Sequence, residues 1–245
     1  MKRVIVVQAR MTSTRLPGKV LLDLGGRPLL AQVLRRLTRC RRADELVVAT
    51  TVNTPDDAVV KVAGVEGARW FRGEEHDVLS RYLGAAREAR ADLVVRVTAD
   101  CPLIDPGEVD RVILALESDA PGADYAANVV ERTFPRGLDA EALFQDVLER
   151  IGRLARSAAA REHVTRLVYD RRDLFLVRSV TDSQDNSDLR WTVDTPADLA
   201  MMRRLYEGLA HEREPLDYHD ILAYVRRHPE ISAMNAHVQQ LAPHA

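Results

Sequence analysis

Twelve consecutive residues concentrate the groups most suited to chemistry. In Gln8-Ala9-Arg10-Met11-Thr12-Ser13-Thr14-Arg15-Leu16-Pro17-Gly18-Lys19, three cations, three hydroxyl residues and a glycine follow an apolar opening run. Such a loop is an anion cradle. Backbone N–H groups around Thr12, Ser13 and Thr14 can wrap phosphate oxygens, while Arg15 and Lys19 neutralise charge that would repel an incoming nucleophile. It is not a Walker A loop, because Ser13 stands where that pattern needs its first glycine, and it is not GxGxxG. The competing reading is a solvated loop with surface arginines. Two acids complement it: Asp100 closes the apolar run at 93–98, and Asp194 directly precedes Thr195-Pro196. A lone carboxylate such as Asp100 facing phosphates suits magnesium, a hard ion that takes one or two protein carboxylates and keeps several waters. Thr195, Pro196 and Asp198 supply cap, first helical residue and third-position acid, which leaves Asp194 free for another task. Asp105 before Pro106 is a plain helix-entry acid. Cys101 has no partner that the sequence places beside it, and the seven histidines form no zinc spacing.

The elements that must position these groups follow an alternating rhythm. Short apolar runs, too brief for helices and separated by amphipathic stretches, indicate parallel strands over 3–7, 45–51, 69–71 and 93–98, with crossover helices over 28–39, 55–63, 78–90 and 106–117. That is an α/β chain, a Rossmann-like open, mostly parallel twisted sheet with helices on both faces. Its ligands belong beyond the carboxyl ends of the strands, where the cationic loop and Asp100 fall. From 124 onward a strand over 125–130, a turn at 135–137 and helices over 140–154 and 158–170 read as an insertion on the sheet, about 134–180. Strands over 174–180 and 189–193, a helix from 195 and another over 217–227 follow. Residues 1–228 form one domain, and 229–245, with their prolines and polar groups, a loosely held tail.

Composition removes several function classes. The chain has 245 residues, 46% hydrophobic and 29% charged, which is ordinary globular usage. Thirty-five basic against thirty-seven acidic residues give a net charge of −2, and aromatics are 5%, so no broad field or stacking platform invites nucleic acid. No run approaches a membrane span, and the apolar run 4–7, soon followed by Arg10 and Arg15, is too short for a signal peptide. Two cysteines, Cys40 and Cys101, make no disulfide framework, and the cytoplasm fits best.

The run 8–19 resembles the nucleotide-binding signature of the CMP-sugar-forming cytidylyltransferases, which include the acylneuraminate and 3-deoxy-manno-octulosonate enzymes. The remainder is similar to the spore coat polysaccharide (SpsF) branch. The supporting segments are Arg72-Gly73-Glu74 with Asp77-Val78-Leu79-Ser80-Arg81-Tyr82, Arg96-Val97-Thr98-Ala99-Asp100-Cys101-Pro102-Leu103-Ile104-Asp105-Pro106, Thr133-Phe134-Pro135-Arg136-Gly137-Leu138-Asp139-Ala140-Glu141, Arg161-Glu162-His163-Val164-Thr165, and Leu189-Arg190-Trp191-Thr192-Val193-Asp194-Thr195-Pro196-Ala197-Asp198-Leu199. They cover residues 1 to about 210 in order.

The resemblance implies a nucleotide-diphospho-sugar transferase-like sheet and a homodimer joined through the 134–180 insertion as a contact arm. It also implies transfer of CMP from CTP to a sugar, an acidic one, with release of pyrophosphate. Asp100 and Asp194 would hold Mg2+, and Arg15, Lys19 and Asp100 would carry the chemistry. The nucleotide would be held by Ala9, Arg10, Met11, Thr12, Ser13, Thr14, Arg15 and Lys19, with Arg72 reaching the cytosine edge and Ala9 closing the base pocket. Several relatives carry a glutamine near Thr98 that reads the base, and the shorter threonine departs from that pattern. For the acceptor, Arg136 offers a cation for a carboxylate, and Asp139, Glu141 and Asn128 offer partners for hydroxyls, the competing reading being an exposed turn. His163 faces the cleft or is structural, and Arg190 closes the cleft or packs. A metal-dependent glycosyltransferase would normally show a DxD motif where Asp100-Cys101-Pro102 supplies one acid. A non-catalytic nucleotide-binding module remains the other rival.

Overall fold

Strands β1 (Arg3–Gln8), β4 (Glu45–Thr51), β5 (Arg69–Gly73) and β6 (Leu93–Thr98) lie parallel in the order β5-β4-β1-β6, one half of a seven-stranded sheet in the computed structural model. The structure describes residues 1–118, 122–212 and 215–239. β1 and β6 run in register from Arg3↔Leu93 to Gln8↔Thr98, so the loop after β1 and the Ala99-Asp100 turn leave the sheet side by side. Between β1 and β4, a two-residue hairpin of β2 (Asp23–Leu24) and β3 (Arg27–Pro28) turns through Gly25 and Gly26, at φ 60° and 78°, into helix α1 (Leu29–Leu37). Helices α2 (Asp57–Val65), α3 (Val78–Ala89) and α4 (Pro106–Glu117) make the remaining crossovers.

Alternate residues of β1 explain the unbroken apolar run. Val4 and Val6 pack with Leu79, Tyr82 and Ala86 of α3, whereas Ile5 and Val7 pack with Leu30 and Leu34 of α1 and Val109 of α4. A strand buried on both faces has no polar side to show. Asp77 and Asp105 cap α3 and α4 by accepting the Ser80 and Glu108 N–H groups, and these caps make the two helix starts sharp.

The second half departs from the sequence-based expectation. β7 (Tyr125–Ala127) is shorter than the strand expected over 125–130, and residues 140–154 are not one helix. Residues Glu141–Phe144 form β8, antiparallel to both β6 and β7, and the helix α5 begins only at Gln145 and runs to Leu154. Glu-Ala-Leu-Phe tolerates a helix, but in-register pairing against β6, with Arg96 opposite Glu141, overrides propensity. The segment expected as an arm therefore contributes a strand to the interior of the sheet, whose full order is β5-β4-β1-β6-β8-β7-β9. The expected helix over 158–170 is two short ones, α6 (Ala158–Glu162) and α7 (Arg166–Asp170), broken where Val164 takes φ 52°. Edge strand β9 keeps only Val177–Ser179.

Residues 189–193 do not form the expected strand. A single bridge joins Arg190 to Arg136, and the segment crosses the strand ends with Leu189, Trp191 and Val193 buried. Helices α8 (Pro196–Leu209) and α9 (Tyr218–Arg227) complete the α4 face. The expected loose tail contains helix α10 (Pro229–Ala233), with Ile231 and Asn235 each 2% exposed. Residues 240–245 of that tail lie outside the described residues.

Candidate active site

The loop after β1 is shaped by its own backbone. The N–H groups of Ser13 and Gly18 donate to the Met11 carbonyl at 3.1 and 2.9 Å, closing the chain on itself. Gly18 turns at φ 68° against the Met11 methyl, and a short 3-10 turn from Lys19 to Leu21 follows. That turn aims Lys19 back beneath the strand ends. Its ammonium donates to Asp100 Oδ2 at 2.7 Å and Asp194 Oδ1 at 2.8 Å. Arg15 Nη2 lies 3.2 Å from the other oxygen of Asp194, which also accepts from Arg190 Nη2 at 3.0 Å. Residues 81 and 175 positions away from Lys19 along the chain thus meet on one nitrogen.

Electrostatics follow from this convergence. Burial pulls the Lys19 ammonium down, but Asp100 and Asp194 outweigh it and raise its pKa above the usual lysine value. Burial would raise Asp100, yet Lys19, with hydrogen bonds from Thr98 and Cys101, holds it down at about 2. Thr98, the position that departs from the family pattern, donates to Asp100 Oδ1 at 2.6 Å. Its side chain here serves the acid.

Asp194 owes its position to Asp198, which is 0% exposed. Asp198 forms a capping box with Thr195 and accepts the Asp194 N–H at 3.0 Å. It also accepts Arg190 through Nε at 2.8 Å and Nη2 at 3.1 Å, and Asn235 Nδ2 at 2.9 Å. Arg190 therefore holds both acids of this turn. The Asp100 carbonyl accepts the Val193 N–H at 2.8 Å, which stitches the 189–193 segment to the end of β6.

Beside the acids opens a pocket of about 150 Å³, lined by Thr98, Asp100, Arg136, Asp139, Thr192 and Asp194 among others. Among the described residues, no carboxylate lies within ion-pair distance of Arg136. Burial, then the neighbouring Arg132, and more weakly Arg190, lower its pKa. Asp139 is instead gripped by both Arg132 nitrogens, at 2.8 and 2.9 Å. Gly137 permits the wall to close: at φ 109° its Cα sits where a Cβ would meet the Trp191 carbonyl carbon at 2.5 Å.

Other expected residues are committed elsewhere. Arg72 donates to the Thr51 and Asn53 carbonyls at 2.8 and 3.0 Å and to Asp57 at 2.6 Å, so its fork braces the β4–α2 loop. Glu141 is buried and bound by Arg96, by the Tyr125 hydroxyl at 2.6 Å and by the Thr165 hydroxyl at 2.5 Å, so three donors of the fold hold its carboxylate. Asn128, 1% exposed, clamps backbone: its amide donates to the Leu138 carbonyl and its oxygen accepts the Ala140 N–H. His163 caps the end of α6 rather than standing within a helix. Ala9 is buried, its N–H bonded to the Ala49 carbonyl. The Met11 N–H is taken by Asp56 at 2.6 Å, and Arg10 reaches the Glu75 carbonyl at 3.2 Å. Thr12 donates to the Glu75 carboxylate at 2.6 Å, and Thr14 follows in the same loop.

Sequence reasoning passed over Glu75, Asp56, Arg132 and Asn235, each of which fixes a loop or a charged neighbour. Only Asp56, in the turn-forming Asn53-Thr54-Pro55-Asp56, carried a local signal of its place.

The family model for cytidylyltransferases matches residues 4–214. The spore coat polysaccharide biosynthesis protein SpsF of Bacillus subtilis is 30% identical over 232 residues, 92% of this chain and 94% of that one. A cytidylyltransferase structure from Leptospira borgpetersenii superposes with TM-score 0.91 at 31% identity, covering 99% of both chains. A CMP:2-keto-3-deoxy-manno-octonic acid synthetase complexed with CTP shares the fold, at TM-score 0.67 and 23% identity over 85% of this chain and 99% of that one. With the cationic loop, both aspartates and the sheet that joins them in place, the chain belongs to the cytidylyltransferase family and is a nucleotidyltransferase.

Proposed function

We propose that the protein transfers CMP from CTP to a hydroxyl of an acidic sugar, releasing pyrophosphate with a magnesium ion's help, as a step in making a surface polysaccharide. The observation that carries this reading is the meeting of Lys19, Asp100 and Asp194 at the strand ends beside the 150 Å³ pocket. The SpsF and CTP-complex relatives support the nucleotide and the class of product.

The donor set fits a hard cation. Two carboxylates face one another, and among the described residues no cluster of three or more His, Cys, Asp or Glu exists that would hold a metal unaided. Magnesium accepts such a partial site because phosphate oxygens and water complete its shell. When bound, it would neutralise phosphate charge and polarise the transferring group. The chain's own residues do the rest by positioning. Arg15 and Lys19 balance charge on the departing pyrophosphate, which lowers the barrier without covalent chemistry. Arg136, unpaired among the described residues and crowded by Arg132 and Arg190, pairs with the acceptor's carboxylate. The 189–193 segment, pinned to Asp100, supplies Thr192 to the pocket wall.

Pyrophosphate release across the four nucleoside triphosphates and a panel of sugar acids tests the reading. CTP with at least one acidic sugar is expected to give turnover, and Asp100→Asn to cut it roughly a hundredfold or more with the folded circular-dichroism spectrum retained at the assay temperature. Release at near wild-type rate by that variant refutes the assignment.

A further inference from the structure

Each of the four oxygens of Asp100 and Asp194 already faces a donor. Asp100 Oδ1 accepts from Thr98, and Asp194 Oδ2 accepts from Arg190 and lies 3.2 Å from Arg15. The two remaining oxygens, one on each acid, both accept from the Lys19 ammonium. Counting Asp198, which shares Arg190 with Asp194, three negative charges thus stand against three positive ones, and the Lys19 side chain is 12% exposed. A cluster so balanced does not attract a divalent cation. An ion that takes the facing oxygens must displace the ammonium, and the displaced ammonium needs another anion, since leaving it buried and unpaired is costly.

We propose that Lys19 is the resident counter-ion of this acid pair and makes divalent-ion binding conditional on the nucleotide. The triphosphate draws the ammonium away from the acids, and the freed carboxylate oxygens then join phosphate oxygens around the ion. Metal and nucleotide are thereby linked thermodynamically through one side chain: each strengthens the other's binding by the same factor. The proposal rests on the metal role assigned above to Asp100 and Asp194. It adds that the site excludes free cations until the nucleotide arrives.

Protein-bound Mn2+, read by the enhancement of water-proton relaxation, tests this without turnover. In the absence of nucleotide, Lys19→Met is expected to bind Mn2+ roughly tenfold or more tightly than wild type, within the usual range of such couplings. Lys19→Arg, which keeps the charge, is expected to stay near wild type, and adding Asp100→Asn to Lys19→Met to abolish the gain. Should Lys19→Met fail to fold, Lys19→Gln is neutral, can still donate to the acids and serves the same comparison. With CTP present, wild type is expected to hold the ion tightly.

Equal Mn2+ affinity of wild type and the neutral variant without nucleotide overturns the proposal, as does a gain that survives Asp100→Asn. The functional reading fails separately. Wild type that releases no pyrophosphate while the neutral variants bind Mn2+ more tightly would remove the reaction and leave the counter-ion role standing.

Discussion

Replacing Asp198 with asparagine leaves the side-chain volume unchanged and exchanges one oxygen for an amide nitrogen. The carboxylate is 0% exposed and accepts from six donors: Arg190 Nε and Nη2, Asn235 Nδ2, the N–H groups of Asp194 and Thr195, and the Thr195 hydroxyl. In Asp198→Asn one side of this arrangement sets donor against donor, and Arg190, 8% exposed, loses its charged partner at position 198. Breaking a buried pair in this way costs about 4 kcal/mol. For a chain of this size that corresponds to a melting temperature lower by roughly 8–16 °C. Asn235→Ala removes one neutral donor from the same carboxylate and is expected to cost about 1 kcal/mol. The pH dependence has a definite sign. Interaction with Arg190 and Asn235 outweighs burial and depresses the Asp198 pKa. Its contribution is therefore complete above the unfolded value of about 3.9 and is lost as pH falls through the lower folded value. Melting followed by circular dichroism from pH 3 to 7 should show a gap between wild type and Asp198→Asn that is widest near neutrality and narrows in acid. A drop under 3 °C at pH 7, or a gap that widens on acidification, would refute the reasoning.

Two further outcomes separate wall from network. Gly137→Ala places a Cβ against the Trp191 and Thr192 backbone at 2.5–2.7 Å, in a conformation that L residues rarely adopt. It is expected to lose about 3 kcal/mol in a thermal melt and to raise KM for the acceptor, because the displaced segment carries Arg190 and pins Asp100. Glu141→Gln breaks a buried pair with Arg96 and is expected to lower stability by about 3 kcal/mol while leaving the acceptor's KM within roughly twofold. A large KM change with unchanged melting would return Glu141 to the sugar site.

The strands and helices that sequence patterning located well are those whose limits are set locally. Helix α4 begins at Pro106 because Asp105 caps it, and β6 keeps its expected bounds because apolar residues fill both of its faces. β8 could not be separated from α5 on the same grounds. What divides Phe144 from Gln145 is a partner strand nearly fifty residues earlier, with Arg96 waiting opposite Glu141. The segment 189–193 misled for the converse reason: its alternation is that of a strand, but its hydrogen bonds go to Arg136 and Asp100 rather than to a ladder.

The site divides along the same line. That the Lys19 loop and Asp100 lie at the same end of the sheet was legible in the strand pattern; that they touch comes from β1 and β6 being neighbours in it. Which arginine stays available did not follow. Arg72 and Arg136 both stand in or near loops at the strand ends, yet carbonyls at Thr51 and Asn53 occupy the first, whereas Arg132 removes Asp139 from the second. A guanidinium's availability is decided by acceptors distant in sequence, and composition carries no record of them. Asn235 makes the argument from the far end of the chain. Amid proline and polar residues it reads as unstructured, but a buried carboxylate needs each of its lone pairs met. Asp198 draws that asparagine, and the segment that bears it, onto the turn that sets Asp194.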